Sequence, residues 1–97
     1  MPTFISLVNW TDQGIRAGKD TLERASAAAA AAENLGGKLK HIYWTVGSYD
    51  IVTVTEFPDD VTATAFLLAL GSGGNVRTNT MRAFDRDEVA EILRKTS

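Results

Sequence analysis

The chain has 97 residues, 44% hydrophobic and 23% charged, with 10 Lys and Arg against 12 Asp and Glu, enough for one domain (1–97) with a modest core. It holds no cysteine and one histidine, His41, which excludes disulfides, thiolate metal sites, thiol nucleophiles and His–His metal pairs within one chain. A formal net charge of −2 argues against generic binding to nucleic acid or an anionic membrane, both of which need a basic footprint.

The first segment, Thr3 to Trp10, is β-branched and aromatic and reads as a strand. Its short, alternating apolar run is neither a signal peptide nor a membrane span, and the composition predicts a cytoplasmic protein. Thr11-Asp12-Gln13-Gly14 reads as a turn or helix cap, since Gly14 and Gly18 weaken any helix through them. A strong helix starts near Asp20, with Asp20 or Thr21 as N-cap and Glu23 in the first turn. It runs through Ala27 to Ala32, a smooth surface that lets a neighbour approach closely. Gly36-Gly37 ends it.

Lys38 to Val46 alternates, which places Leu39, His41 and Tyr43 on one side and Lys40, Ile42 and Trp44 on the other. Gly47-Ser48 connects it to the strand Ile51 to Phe57, a hairpin pattern. Pro58-Asp59-Asp60 breaks that strand and caps a helix over Val61 to Leu70, which Gly71-Ser72-Gly73-Gly74 stops. Asn75 to Phe84 is the fourth strand, with Val76, Thr78, Thr80 and Arg82 on one face. Asp85 caps a last helix, Arg86 to Lys95, with Val89, Ile92 and Leu93 on its apolar side.

This order predicts an α+β fold, a ferredoxin-like βαββαβ sandwich. Its antiparallel four-stranded sheet has order 4-1-3-2, both long helices lie on one face, and there is an extra C-terminal helix. Both sheet faces are apolar or neutral: Ile5 and Leu7 oppose Phe4, Val8 and Trp10, while Val52 and Val54 oppose Ile51, Thr53 and Thr55. A solvated face would alternate with charge, and an uncovered apolar patch is unusual on a monomer. The expectation is a homodimer or higher homo-oligomer formed through the open face. Strand Thr, Ser, Trp and Tyr suggest either a partly polar space between sheets, able to hold a small molecule, or a plain interface.

Several blocks carry a family resemblance over nearly the whole chain. They are Pro2 to Gly14, Leu35 to Leu39, Tyr43 to Val52, Phe57-Pro58-Asp59-Asp60, and Gly74 to Phe84. The chain resembles the small bacterial GYD-domain proteins, with the naming motif written here as Gly47-Ser48-Tyr49-Asp50. The resemblance implies a dimeric α/β barrel organisation. It carries over no activity and no catalytic residues.

Candidate catalytic residues are His41, Tyr49 and Asp50. Imidazole titrates near neutrality and suits acid–base work, and Asp50 can accept a proton. Against this, Gly47 and Asp50 fit turn chemistry, with positive φ at the glycine and the carboxylate on backbone amides. Candidate ligand-binding residues are Trp10, Tyr43, Trp44 and Arg77, although aromatics also dominate cores and interfaces. Arg77 follows a glycine loop and could hold a carboxylate or phosphate, or form an ion pair. The polar cluster Asn9, Thr11, Asp12 and Gln13 is either a functional strand end or a helix cap. Ser6 and Ser48 lack a nucleophile-elbow context. No cofactor and no metal are expected, although an oxygen-only site at Asp50 stays open. Three functions fit: a small-molecule-binding or interaction module with a pocket at the sheet face, a cofactor-independent enzyme using His41, Tyr49 and Asp50, or a structural protein-interaction module.

Overall fold

The computed structural model describes residues 1–96. Four strands form one antiparallel sheet: β1 (Thr3–Trp10), β2 (Lys38–Trp44), β3 (Ile51–Glu56) and β4 (Val76–Ala83). Their spatial order is β2-β3-β1-β4, the expected 4-1-3-2 read from the other edge. Two long helices, α2 (Thr21–Asn34) and α3 (Asp60–Ser72), connect the strands, and α4 (Arg86–Arg94) follows the last.

Alternation along β1 decides which face the helices cover. Phe4, Ser6 and Val8 are buried, while Ile5 and Leu7 are only partly so. Phe4 joins Phe57 of the β3–α3 connection, Ala63 and Phe66 of α3, and Ala32 of α2 in the core. Phe57 anchors it, with ring centroids 5.0 Å from Phe66 and 6.4 Å from Phe4. Burying a side chain of this size contributes about 1.5–3 kcal/mol. Alanines give α2 the smooth surface expected of them: Ala28, Ala31 and Ala32 pack on the core, and Ala32 is fully buried.

Each helix end has a local cause. Asp59 accepts from the Thr62 amide at 2.7 Å and opens α3. Asp85 and Glu88 form a reciprocal capping box at α4, with bonds of 2.8 and 3.1 Å. Gly36, at φ 78°, closes α2, and the Gly37 amide reaches back to the Ala32 carbonyl at 2.9 Å. A Cβ on Gly37 would lie 2.4 Å from the Phe57 ring, so the glycine also admits the core's central aromatic.

Three local readings change. Thr11 to Gly14 is more than a turn: a short helix, α1 (Asp12–Arg16), forms there, capped by the Thr11 hydroxyl and followed by a 3-10 turn (Gly18–Asp20). Helix α3 continues past Leu70 through Gly71 and Ser72, two residues that composition places in the loop. Leu39 does not share a face with His41 and Tyr43. A bulge between Leu39 and His41 pairs Leu39 with Thr55 and His41 with Val54, which moves Leu39 to the helix-covered side. An irregularity of one residue reverses a period-two pattern.

Candidate functional site

The hydroxyls of Ser6, Thr53, Thr55, Thr78 and Thr80 lie on the helix-covered face, not between two sheets. Register places Ser6 beside Thr53 on one side and Thr80 on the other, with Val8 next to Thr78. Ser6 Oγ and Thr80 Oγ1 are 2.8 Å apart. Toward the other end of this face the alanines of α2 leave a cavity of about 240 Å³ between sheet and helices. Its wall is largely apolar, including Val8, Ile42, Ile51 and Leu70, with Trp10, Thr53 and Arg24 as polar or amphipathic members.

Trp10 is therefore a cavity residue. Its indole Nε1 is buried and finds no hydrogen-bond acceptor among the described residues. Trp44 does not line the cavity, but its Nε1–H donates to the hydroxyl of the lining residue Thr21 at 3.0 Å and ties β2 to the first turn of α2. Arg24 is held by two carbonyls: Nη1 donates to Ala17 at 2.7 Å and Nη2 to Gly14 at 3.2 Å. No carboxylate among the described residues pairs with Arg24.

The other expected ligand residues lie elsewhere. Tyr43 is 60% exposed on the uncovered sheet face, stacked on His41 with ring centroids 6.2 Å apart. Arg77 is exposed on that same face at β4. Of the four named residues, Trp10 lines the cavity, Trp44 shares its sheet face, and Tyr43 and Arg77 lie on the open face.

Within the expected catalytic trio, His41 stacks on Tyr43 and Asp50 is bonded to the end of β1. Asp50 Oδ2 accepts from the Trp10 backbone amide at 2.9 Å, and the Asp50 amide donates to Val8 at 2.9 Å. The loop closes on itself through Thr45, whose hydroxyl donates to the Tyr49 carbonyl at 2.6 Å and whose amide donates to the Asp50 carbonyl at 2.8 Å. Gly47 takes φ 137°. No hydrogen bond joins His41, Tyr49 and Asp50, and no cluster of metal-ligating side chains forms, among the described residues.

Two members of the polar cluster around the end of β1, Thr11 and Gln13, bond the segment that leads into β4. Thr11 donates its amide and its hydroxyl to the Asn75 and Gly74 carbonyls, and Gln13 Nε2 donates to Gly73 and Asn75. Arg24 and Ala25 line the cavity without standing out in the sequence as candidate site residues. The available signal is Arg24 immediately before a run of small residues, where a missing side-chain volume faces Val8 and Thr53 of the sheet.

The uncovered face is apolar at its centre. Register lays His41, Val54, Ile5 and Met81 in one row across the four strands, and Tyr43, Val52, Leu7 and Asn79 in the next. Met81 is 48% exposed. Helix α4 joins the body near its start, where Arg82 pairs with Glu88 at 3.2 Å and lies 4.3 Å from the Phe84 ring centroid. Its Val89, Ile92 and Leu93 remain exposed. No helix among the described residues is long and apolar enough to cross a membrane.

The family model for the GYD domain matches residues 4–93. A curated protein of Thermus thermophilus, named glutamine synthetase and cystathionine beta-lyase binding protein, is 36% identical over 94 residues, covering 96% of each chain.

Proposed function

This chain belongs to the GYD domain family, and from that premise we propose that it is a homo-oligomeric protein-interaction module. The open sheet face meets a second copy of the chain, and the exposed stripe of α4 meets an enzyme partner. The observation that carries this reading is the double row Val54–Ile5–Met81 and Tyr43–Val52–Leu7, which no element of the described chain covers. Apolar patches of this kind on soluble proteins mark association sites, and a twofold pairing of one patch with itself closes the assembly. Arg77, Asn79, Lys38 and Glu56 at the margins supply the polar rim such interfaces carry.

The relative's printed name supplies the partner class. Glutamine synthetase and cystathionine β-lyase from the same cell are the partners to test first. Val89, Ile92 and Leu93 recur at helical spacing and present an apolar edge suited to a groove on such an enzyme. An enzymatic reading has less support, because His41 and Tyr43 lie on the proposed self-interface while Asp50 is engaged by the β1 backbone.

The test is surface-captured binding of each purified enzyme to wild type, Val54→Asp and Ile92→Glu. The expected result is that Ile92→Glu abolishes enzyme binding while the assembly keeps its mass. Enzyme binding by neither candidate, or full binding by Ile92→Glu, overturns the assignment of α4.

A further inference from the structure

The cavity between the sheet and α2 lies on the opposite side of the sheet from the proposed self-interface, and its chemistry points to a different kind of partner. We propose that it is a binding site for a small organic monocarboxylate with an aromatic or branched apolar body. The charge argument comes first. Arg24 is the single ionisable side chain on the described wall, and no Asp or Glu lines it. Its guanidinium is positioned by the Ala17 and Gly14 carbonyls, which satisfy two donors without neutralising the charge. A guanidinium keeps its charge at any ordinary pH, and its remaining donors match a carboxylate in geometry.

The apolar wall argues against an inorganic anion. Val8, Ile42, Ile51, Ala25 and Ala28 offer nothing to the oxygens of phosphate or sulfate, and desolvating them without partners is costly. Those side chains favour a hydrocarbon body instead. Size is consistent with this. An apolar cavity of about 150 Å³ accepts a benzene ring, and the additional volume here leaves space for a short acid arm. One donor in this region stands buried without an acceptor, the Trp10 indole N–H. Native proteins leave few such groups, so an acceptor-bearing guest fits this wall better than a pure hydrocarbon.

Phenylacetate is the probe, with phenylacetamide as its neutral counterpart of the same shape and inorganic phosphate as the anion without a body. The intact protein is titrated by calorimetry and by amide and indole NMR, with the two indole signals assigned through Trp44→Phe. Phenylacetate is expected to move the Trp10 indole signal and the α2 amides near Arg24. Phenylacetamide is expected to bind about tenfold more weakly or worse, the loss that removing one charged hydrogen-bonding partner brings, and phosphate is expected not to compete. Arg24→Gln removes the charge while keeping a polar side chain beside the Gly14 and Ala17 carbonyls, and is expected to lose phenylacetate binding in a protein that circular dichroism shows to be folded. Ala25→Leu fills the space and is expected to block the probe in a folded protein.

The proposal is overturned by folded wild type that shows no shift at millimolar phenylacetate, or by equal binding of acid and amide. It is equally overturned by shifts confined to the open-face strands. None of these readouts depends on enzyme partners or on assembly, so failure here and failure of the interaction reading are distinguishable.

Discussion

The carboxylate of Asp50 accepts a hydrogen bond from the backbone amide of Trp10 at 2.9 Å, bridging 40 positions of sequence. With the Asp50 amide on the Val8 carbonyl, it extends the β1–β3 ladder beyond the last paired residues, Val8 and Ile51. The aspartate of the naming motif therefore fixes the strand end from which Trp10 enters the cavity wall.

Asp50→Ala leaves the Trp10 amide without its acceptor. A part-buried donor stranded in this way costs about 1–3 kcal/mol. Urea denaturation is expected to show that loss for Asp50→Ala and a smaller one for Asp50→Asn, whose amide oxygen still accepts. An unchanged midpoint for Asp50→Ala would remove the staple role.

Gly14 and Gly47 test two different demands on glycine. A Cβ on Gly14 would lie 2.0 Å from the Asn75 carbonyl oxygen, within rigid backbone at the seam of α1 and β4. Gly14→Ala is expected to abolish folding or to shift Thr11 away from its bonds to Gly74 and Asn75. Gly47 meets no neighbouring atom but holds φ 137°. Gly47→Ala is expected to fold, with a strain cost of about 1–3 kcal/mol. Equal thermal midpoints for the two variants would contradict this distinction.

Much of the fold is legible in the sequence because its punctuation is chemical. Asp59, Asp85 and the Gly36-Gly37 pair each stop or start an element through their own side chain or conformational freedom. The strand order follows from hairpin and crossover rules. Strand parity alone does not say which face the helices cover, so it puts the Ser and Thr rows in a gap between sheets rather than under the helices. The bulge at Leu39 leaves no composition signal, and it reverses the side on which that leucine packs. The cavity is harder still, because it arises from volume that Ala25 and Ala28 do not fill. Asp50 reads as a turn residue, but its partner lies on a strand 40 positions earlier.

Asp59 links stability to acidity. Its carboxyl is held below the ordinary value of 3.8 by hydrogen bonding to the Thr62 side chain and then to the Thr62 backbone. A folded value below the unfolded one means a contribution that is fully present above 3.8 and lost as pH falls through the lower folded value. Thermal midpoints of wild type and Asp59→Ala are expected to differ at neutral pH and to converge well below 3.8. A difference that persists unchanged in acid would show that the cap does not act through the ionised carboxylate.

The open sheet face carries the central claim, and mass in solution tests it most directly. Light scattering on wild type and Val54→Asp at micromolar concentration reports assembly, with circular dichroism to confirm that both are folded. The account predicts a multiple of the chain mass for wild type and a folded single chain for Val54→Asp, whose charge lies beside Ile5 and His41 in the sheet register. A wild-type protein that elutes as a single folded chain, or a Val54→Asp variant that keeps the full assembly, would contradict it.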